Sequence, residues 1–236
     1  MKRLHFIRDS TSMESMDKHM HDASECPGKG AGRPKAADVE ARTQELLHIA
    51  GTLFLKNGYT KTSLESIARA AHVAVRTIYV KFGGKEGLLA AVLAAKRHRF
   101  FRSQPMETDT RPLRDIIDDF AHQMYALITS QEAIDLQRIV LAEAPTNPEL
   151  AEAFWNSGPR MTREMLARFF ARPDIRAQLR PGLPLDLLPC HLMSTITGEM
   201  FMNLMRPQHV IDQEKSKRDL EGRLELFYYS ILPPST

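Results

Sequence analysis

Cysteine is scarce. Cys26 and Cys190 are the two in a chain of 236 residues. Two cysteines so far apart build no disulfide framework, so burial of apolar side chains must hold the fold. A reducing, cytoplasmic compartment is the expectation. No apolar run approaches the length that spans a bilayer, and the first residues carry no signal-type apolar segment. Strand-like alternation never persists beyond a few residues, and no internal repeat is present. Catalytic patterns are missing too. There is no Ser/His/Asp order, no nucleotide-binding glycine motif and no metal quartet. Glu143 and Glu199 sit on apolar helical stretches, but one acid is not a mechanism. His19, His21 and Cys26 form a single soft-ligand cluster with no second cluster to complete it, so neither a metal nor a cofactor is expected.

What is present begins with charge. The net charge is +3 over the whole chain. Residues 29–85 hold ten Lys/Arg against four Asp/Glu, whereas residues 86–236 hold eighteen against twenty. The positive charge is therefore confined to one segment, which suits a polyanion partner for that segment. A solvated basic face would give the same count.

Residues 1–35 are polar and aperiodic and read as a disordered tail. It closes on the basic arm Gly28–Lys35, where Arg33 and Lys35 are placed to touch a phosphate or a minor groove. A first helix is predicted over 38–56, with Leu46, Ile49, Ala50, Leu53 and Phe54 on one stripe. Asn57-Gly58 ends it. Thr62 or Ser63 caps a second helix, and Glu65 follows Thr62 at capping-box spacing. Further helices are predicted over 85–102, 112–130, 132–144, 148–170, 183–206 and 215–231. Prolines lie at or near the breaks, and Gly158-Pro159 can divide the fourth of these. The fold class is all-α: a three-helix head over 36–84 and a helical body over 85–236.

The head carries the chemistry. Leu64, Ile67, Ala68 and Ala71 form the inner face of the second helix, and Val73, Ile78 and Phe82 continue the buried set after a short break. Val75, Arg76, Thr77, Tyr79 and Lys81 are left pointing outward. Two short helices joined by such a turn are a helix-turn-helix, whose second helix fits a major groove about 12 Å wide. Arg76 suits a base edge or a phosphate. The hydroxyls of Thr77 and Tyr79 and the charge of Lys81 suit phosphate oxygens. Gly83-Gly84-Lys85 opens a further helix whose free N–H groups, with Lys85, favour an anion. Thr62 and Ser63 open the second helix in the same sense.

The stretch "TSLESIARAAHVAVRTIYVKFGGKEGLL" resembles the TetR (tetracycline-repressor-like) family of bacterial regulators. The likeness lies in Thr62-Ser63, Ile67-Ala68, Ala71-His72-Val73, Thr77-Ile78-Tyr79, Phe82 and Lys85-Glu86-Gly87-Leu88. Three positions depart from the family pattern. His72 replaces the turn glycine, Ala74 replaces the serine cap of the reading helix, and Gly84 replaces a polar cap. The resemblance implies base-facing roles for Val75 and Arg76. It implies phosphate roles for Thr62, Thr77, Tyr79, Lys81 and Lys85. It also implies a homodimer on a palindromic DNA operator, with an apolar effector pocket whose occupant moves the fourth helix and separates the two heads. Residues 138–159 are similar to the regulatory domain of a subgroup that includes efflux-pump and quorum-signal repressors.

In the body, Leu192, Ile196, Met200 and Leu204 make one apolar stripe, and Leu224, Phe227, Tyr228 and Ile231 make another. Both are expected in a four-helix interface between two copies, although either could instead line the chain's own core. Small residues at Ser194, Thr195 and Gly198 would let helices approach there. Candidates for the effector pocket are Phe100, Phe120, Met124, Leu127, Gln137, Val140, Leu141, Trp155 and Met161, each of which could equally be plain core. The functional expectation is a ligand-responsive repressor. An effector-independent DNA-binding regulator or activator is the alternative, with a small-molecule enzyme behind it.

Overall fold

The computed structural model describes residues 36–100, 106–206 and 212–234, including every side chain there except those of Ala36, Arg99 and Phe100. The tail over 1–35, and with it Arg33, Lys35, His19, His21 and Cys26, lies outside the described residues, as does the Phe100 side chain. The described residues form helices and no strand. No helix among them is long and apolar enough to cross a membrane.

Helix α1 spans Ala36–Asn57. Leu46, Ala50 and Phe54 of the predicted stripe are buried, joined by Leu47. Gly58 ends the helix at φ +83°, donating its N–H to the Phe54 carbonyl at 3.0 Å. Helices α2 (Leu64–Ala70) and α3 (Val75–Phe82) follow, then α4 (Lys85–Phe100). One apolar core holds them together. It contains Phe54 of α1, Ile67 of α2, Ile78 of α3 and Leu88, Leu89 and Val92 of α4. The same core continues into α6 (Gln131–Glu143) through Leu136 and Val140, and into α7 (Pro148–Ser157) through Leu150. The head predicted over 36–84 therefore has no core of its own that stops at Gly84.

The second core lies between α5 (Leu113–Ile128), α8 (Pro159–Ala171), the short α9 (Pro173–Arg176), α10 (Leu188–Thr197) and α12 (Gln213–Ile231). Gly158 separates α7 from α8, at the division that Gly158-Pro159 allowed. The single helix predicted over 183–206 is broken twice. Pro184 precedes an irregular turn, and Pro189 sits in the first turn of α10, where its missing N–H costs nothing. Gly198 then takes φ +48° and ends α10 before α11 (Met200–Met205) begins. A Cβ at Gly198 would lie 2.6 Å from the Arg223 guanidinium carbon. Arg223 needs that space to donate to the Thr195 carbonyl at 2.7 Å, which caps α10.

The predicted dimer stripes are corrected by burial. Leu192, Ile196, Met200, Leu224, Phe227 and Tyr228 are all buried within the single chain, and Leu204 is half-buried. Leu192, Ile196, Leu224, Phe227 and Tyr228 fill the space between α5, α8, α10 and α12, where each buried side chain contributes about 1.5–3 kcal/mol, while Met200 lines an inner cavity. Tyr228 shows how settled the site is. Its hydroxyl donates to the Asp118 carboxylate at 2.6 Å, and the Arg114 guanidinium lies 4.3 Å from its ring. The periodicity had identified an apolar face, but two helices packed on α5 and α8 use that face internally. The apolar residues left exposed are on the other side: Leu187, Phe201, Met202, Met205, Leu226 and Tyr229.

Candidate nucleic-acid interface and inner cavities

Helix α2 starts at Ser63, whose Oγ accepts the N–H of Ser66 at 3.1 Å. Ser63 is thus the cap, and Thr62 is not. Thr62 is 1% exposed, with its hydroxyl 2.7 Å from the Gly58 carbonyl and 3.2 Å from that of Leu53. Its predicted phosphate contact is corrected: the hydroxyl is spent on closing the α1–α2 turn. Helix α2 ends in a Schellman arrangement, with Val73 N–H on the Ala68 carbonyl at 2.9 Å and His72 N–H on that of Arg69 at 3.3 Å. His72 takes the left-handed place at φ +53°. Ala74 opens α3 without a side-chain acceptor.

Helix α3 is anchored by Ile78, its one fully buried side chain, with Val75 and Phe82 packed half-buried against the core. Val75, implied to be base-facing, shares its side chain with that packing and stays half-exposed. Arg76, Tyr79 and Lys81 are exposed and Thr77 is half-buried. Tyr79 is 56% exposed and Val80 is 75% exposed. Val80 was missed by sequence reasoning, although a second apolar residue with no place on the inner stripe was the available signal. Lys81 donates to the Thr43 hydroxyl of α1 at 2.7 Å.

Gly83 at φ +76° closes α3, and α4 begins two residues later. The junction is tight at Gly87, where a Cβ would sit 1.7 Å from the Phe82 carbonyl oxygen. Only glycine lets the first turn of α4 press against the end of α3. Lys85 does not stand free at this helix start. Its ammonium donates to the Thr60 carbonyl at 3.3 Å and lies 4.4 Å from the Tyr59 ring centre. Burial lowers its pKa, with the nearby Glu143 carboxylate opposing. In the free chain Lys85 braces the α1–α2 turn, and a phosphate contact would require it to exchange that long bond.

Glu143, at the end of α6, completes that turn from the body. Its carboxylate accepts the N–H of Tyr59 at 3.0 Å, the N–H of Thr60 at 2.8 Å and the Thr60 hydroxyl at 2.5 Å. Burial alone would raise the Glu143 pKa. The bonds from Thr60 and Tyr59 and the charge of Lys85 together hold it below its ordinary value.

Two cavities lie behind the head. A larger one of about 530 Å³ has Phe120, Met124 and Met161 on its walls with Arg97, Met165 and Arg168. A smaller, apolar one of about 280 Å³ is lined by Met124, Leu127 and Gln137 with Leu136, Phe154 and Met200. Arg97, Met124 and Thr162 line both. Leu141 and Trp155 line neither and are corrected as pocket residues. Leu141 faces solvent from α6, and Trp155 is exposed under the Arg163 guanidinium, 5.3 Å from its ring centre. Val140 packs in the core shared with the head.

The family pattern described as "Bacterial regulatory proteins, tetR family" matches residues 46–92, which are the α1–α4 segment just described. The pattern "AefR-like transcriptional repressor, C-terminal domain" matches residues 115–228. The chain belongs to the TetR family. The match to the head of this TetR-family chain runs to Val92, well into α4, in agreement with the continuous core. Among curated proteins it is 37% identical over 79 residues to the transcriptional repressor ComR of Escherichia coli, covering 34% of this chain and 36% of that one. It is 35% identical over 80 residues to the regulator SrpR of Pseudomonas putida, covering 34% and 35%. The likeness thus spans about a third of the length of these curated relatives. Two solved structures agree over far more of the chain. The flavonoid-responsive regulator FrrA gives a TM-score of 0.63 at 26% identity, covering 83% of this chain and all of that one. NalD, the secondary repressor of the MexAB-OprM multidrug efflux pump in Pseudomonas aeruginosa, gives 0.60 at 26% identity, covering 84% and 100%.

Proposed function

We propose that this TetR-family chain is a transcriptional repressor that grips DNA through α2 and α3 as a homodimer and is released by a small apolar effector. The observation that carries the reading is the outer face of α3. Arg76, Tyr79 and Val80 stand clear of a helix fixed by one buried isoleucine, between the Ser63-capped start of α2 and the glycine-opened start of α4. Arg76 reads base edges. Tyr79 and Lys81 hold phosphates, and Lys81 exchanges its bond to Thr43 for one to DNA. Val80 gives an apolar contact of the kind a thymine methyl accepts.

The exposed band of Leu226, Tyr229, Phe201 and Met205 is the surface on which two copies meet. Their heads would then address successive major grooves of a palindromic operator, about 34 Å apart. The effector sits in the cavities behind the head, between α4, α6, α7 and α8. Release requires only that it prefer the spread arrangement of the heads. No enzymatic step enters this account.

A gel-shift titration against DNA from upstream of the protein's own gene tests the reading. Tyr79→Ala should weaken binding about tenfold to every sequence. Lys81→Ala should reduce the salt slope by about one. Arg76→Ala should cost about 1–3 kcal/mol on the preferred site and relax the sequence preference there. Operator affinity unchanged in all three variants would remove α3 as the reading element.

A further inference from the structure

Among the described residues, the carboxylates around the larger cavity are each paired with an arginine, and Arg97 is the arginine left over. Arg111 takes both acids on its side, Asp109 at 2.8 Å and Asp119 at 2.7 Å. Arg168 takes Glu107 at 3.1 Å. Lys96, on the wall of the smaller cavity, is paired with Glu132. Arg97 has no carboxylate within ion-pair reach among the described residues. Its guanidinium meets the Ser157 carbonyl at 3.4 Å and the Met161 sulfur at 3.6 and 3.7 Å. The first is a long bond and the others go to a weak acceptor, so most of its five N–H donors lack a strong partner.

Its position gives this meaning. Arg97 lines both cavities, at the seam where Thr162 and Met124 also meet. On one side lies the apolar chamber of Leu136, Phe154 and Met200. A half-buried guanidinium beside apolar walls gains most from an anion that arrives with its own apolar body, since water solvates it poorly there. A neutral apolar guest would desolvate the same guanidinium without compensation.

Building on the effector-pocket reading given above, we propose that the ligand is an organic anion: an apolar body, ring-bearing or branched, seated in the smaller cavity, with its anionic group paired to Arg97. The planar fork of the arginine suits a carboxylate, sulfonate or phenolate, and Thr162 lines the same place.

Two dyes that share an apolar body test this. Anilinonaphthalene sulfonate carries the anion and phenylnaphthylamine does not. The intact protein should bind the sulfonate at least tenfold more tightly, and Arg97→Gln should erase that preference without weakening the neutral dye, whose affinity holds or rises. Retained binding of the neutral dye also shows that the variant is folded. Arg97→Lys keeps the charge without the fork and should keep part of the preference. Equal binding of both dyes to the intact protein, or a preference that survives Arg97→Gln, would overturn the assignment to Arg97 while leaving the cavity reading standing. Failure of both dyes to bind would overturn the cavity reading itself, and this proposal with it.

Discussion

His72 and Ala74 are the two residues at which the turn between α2 and α3 is built from second choices. A left-handed histidine costs about 1–2 kcal/mol relative to a residue free of a Cβ, although histidine accepts the region better than most. Ala74 leaves the first amides of α3 without a side-chain acceptor. Ala74→Ser should therefore stabilise the protein by about 1 kcal/mol, read as a rise of about 2–4 °C in the calorimetric melting temperature. Gly87→Ala should act in the opposite sense. A methyl group 1.7 Å from the Phe82 carbonyl cannot be accommodated without moving α3 or α4. A loss of about 1–3 kcal/mol is expected, seen as a lower melting temperature and weaker operator binding. Both departures at 72 and 74 were legible in the sequence, because they concern backbone conformation and capping, which are local. The destinations of Thr62 and Lys85 were not. A threonine and a lysine near helix starts have the right chemistry for phosphate, but each found a carbonyl of its own chain within reach, and only the packed α1–α2 turn decides that.

At the scale of the element, α6 touches the smaller cavity, α11 and the head. Its middle turns put Leu136 and Gln137 on the wall of the smaller cavity. Arg138 donates to the carbonyls of Leu204 at 3.0 Å and Asn203 at 2.9 Å, capping α11. Glu143 at its end holds the amides of Tyr59 and Thr60. A ligand that shifts α6 thus pulls directly on the turn from which α2 and α3 project. The Glu143 contact has a pH signature. Its carboxyl is held below the ordinary glutamate value of about 4.3, so its contribution is complete above that value and is lost as the pH falls through the lower, folded one. The protection factors of the Tyr59 and Thr60 amides, taken relative to the intrinsic exchange rate at each pH, should fall on acidification in that window ahead of those of other amides in the head. In Glu143→Ala these two amides should exchange fast at every pH, and persistent protection in that variant would show that another group holds the turn. The helix itself was legible, predicted over 132–144 and found over Gln131–Glu143. Glu143 was noticed only as an acid on an apolar helix, because its partners lie more than eighty positions away.

For the whole molecule, the all-α class and the order of helices followed from periodicity and proline placement. The use of each face did not. A stripe on α10 or α12 looks the same whether it meets another helix of its chain or of a second copy, and the stripes at Leu192 and Leu224 meet helices of their own chain. The exposed band carries the corresponding prediction. Leu226→Asp should convert a dimer to a monomer in analytical ultracentrifugation, and operator affinity should fall by at least tenfold because each half-site is then bound alone. The stability of the monomer should change by about 0.5 kcal/mol or less, since Leu226 is 69% exposed. The core that runs from α1 through α4 into α6 and α7 also decides how this chain can be divided. A fragment ending at Gly84 would forfeit Leu88, Leu89, Val92, Leu136, Val140 and Leu150, baring the flanks of Phe54 and Ile67 to water. The α1–α4 head thus shares one core with α6 and α7, and any chimera that swaps one head for another must carry α4 and reproduce the surface that receives it.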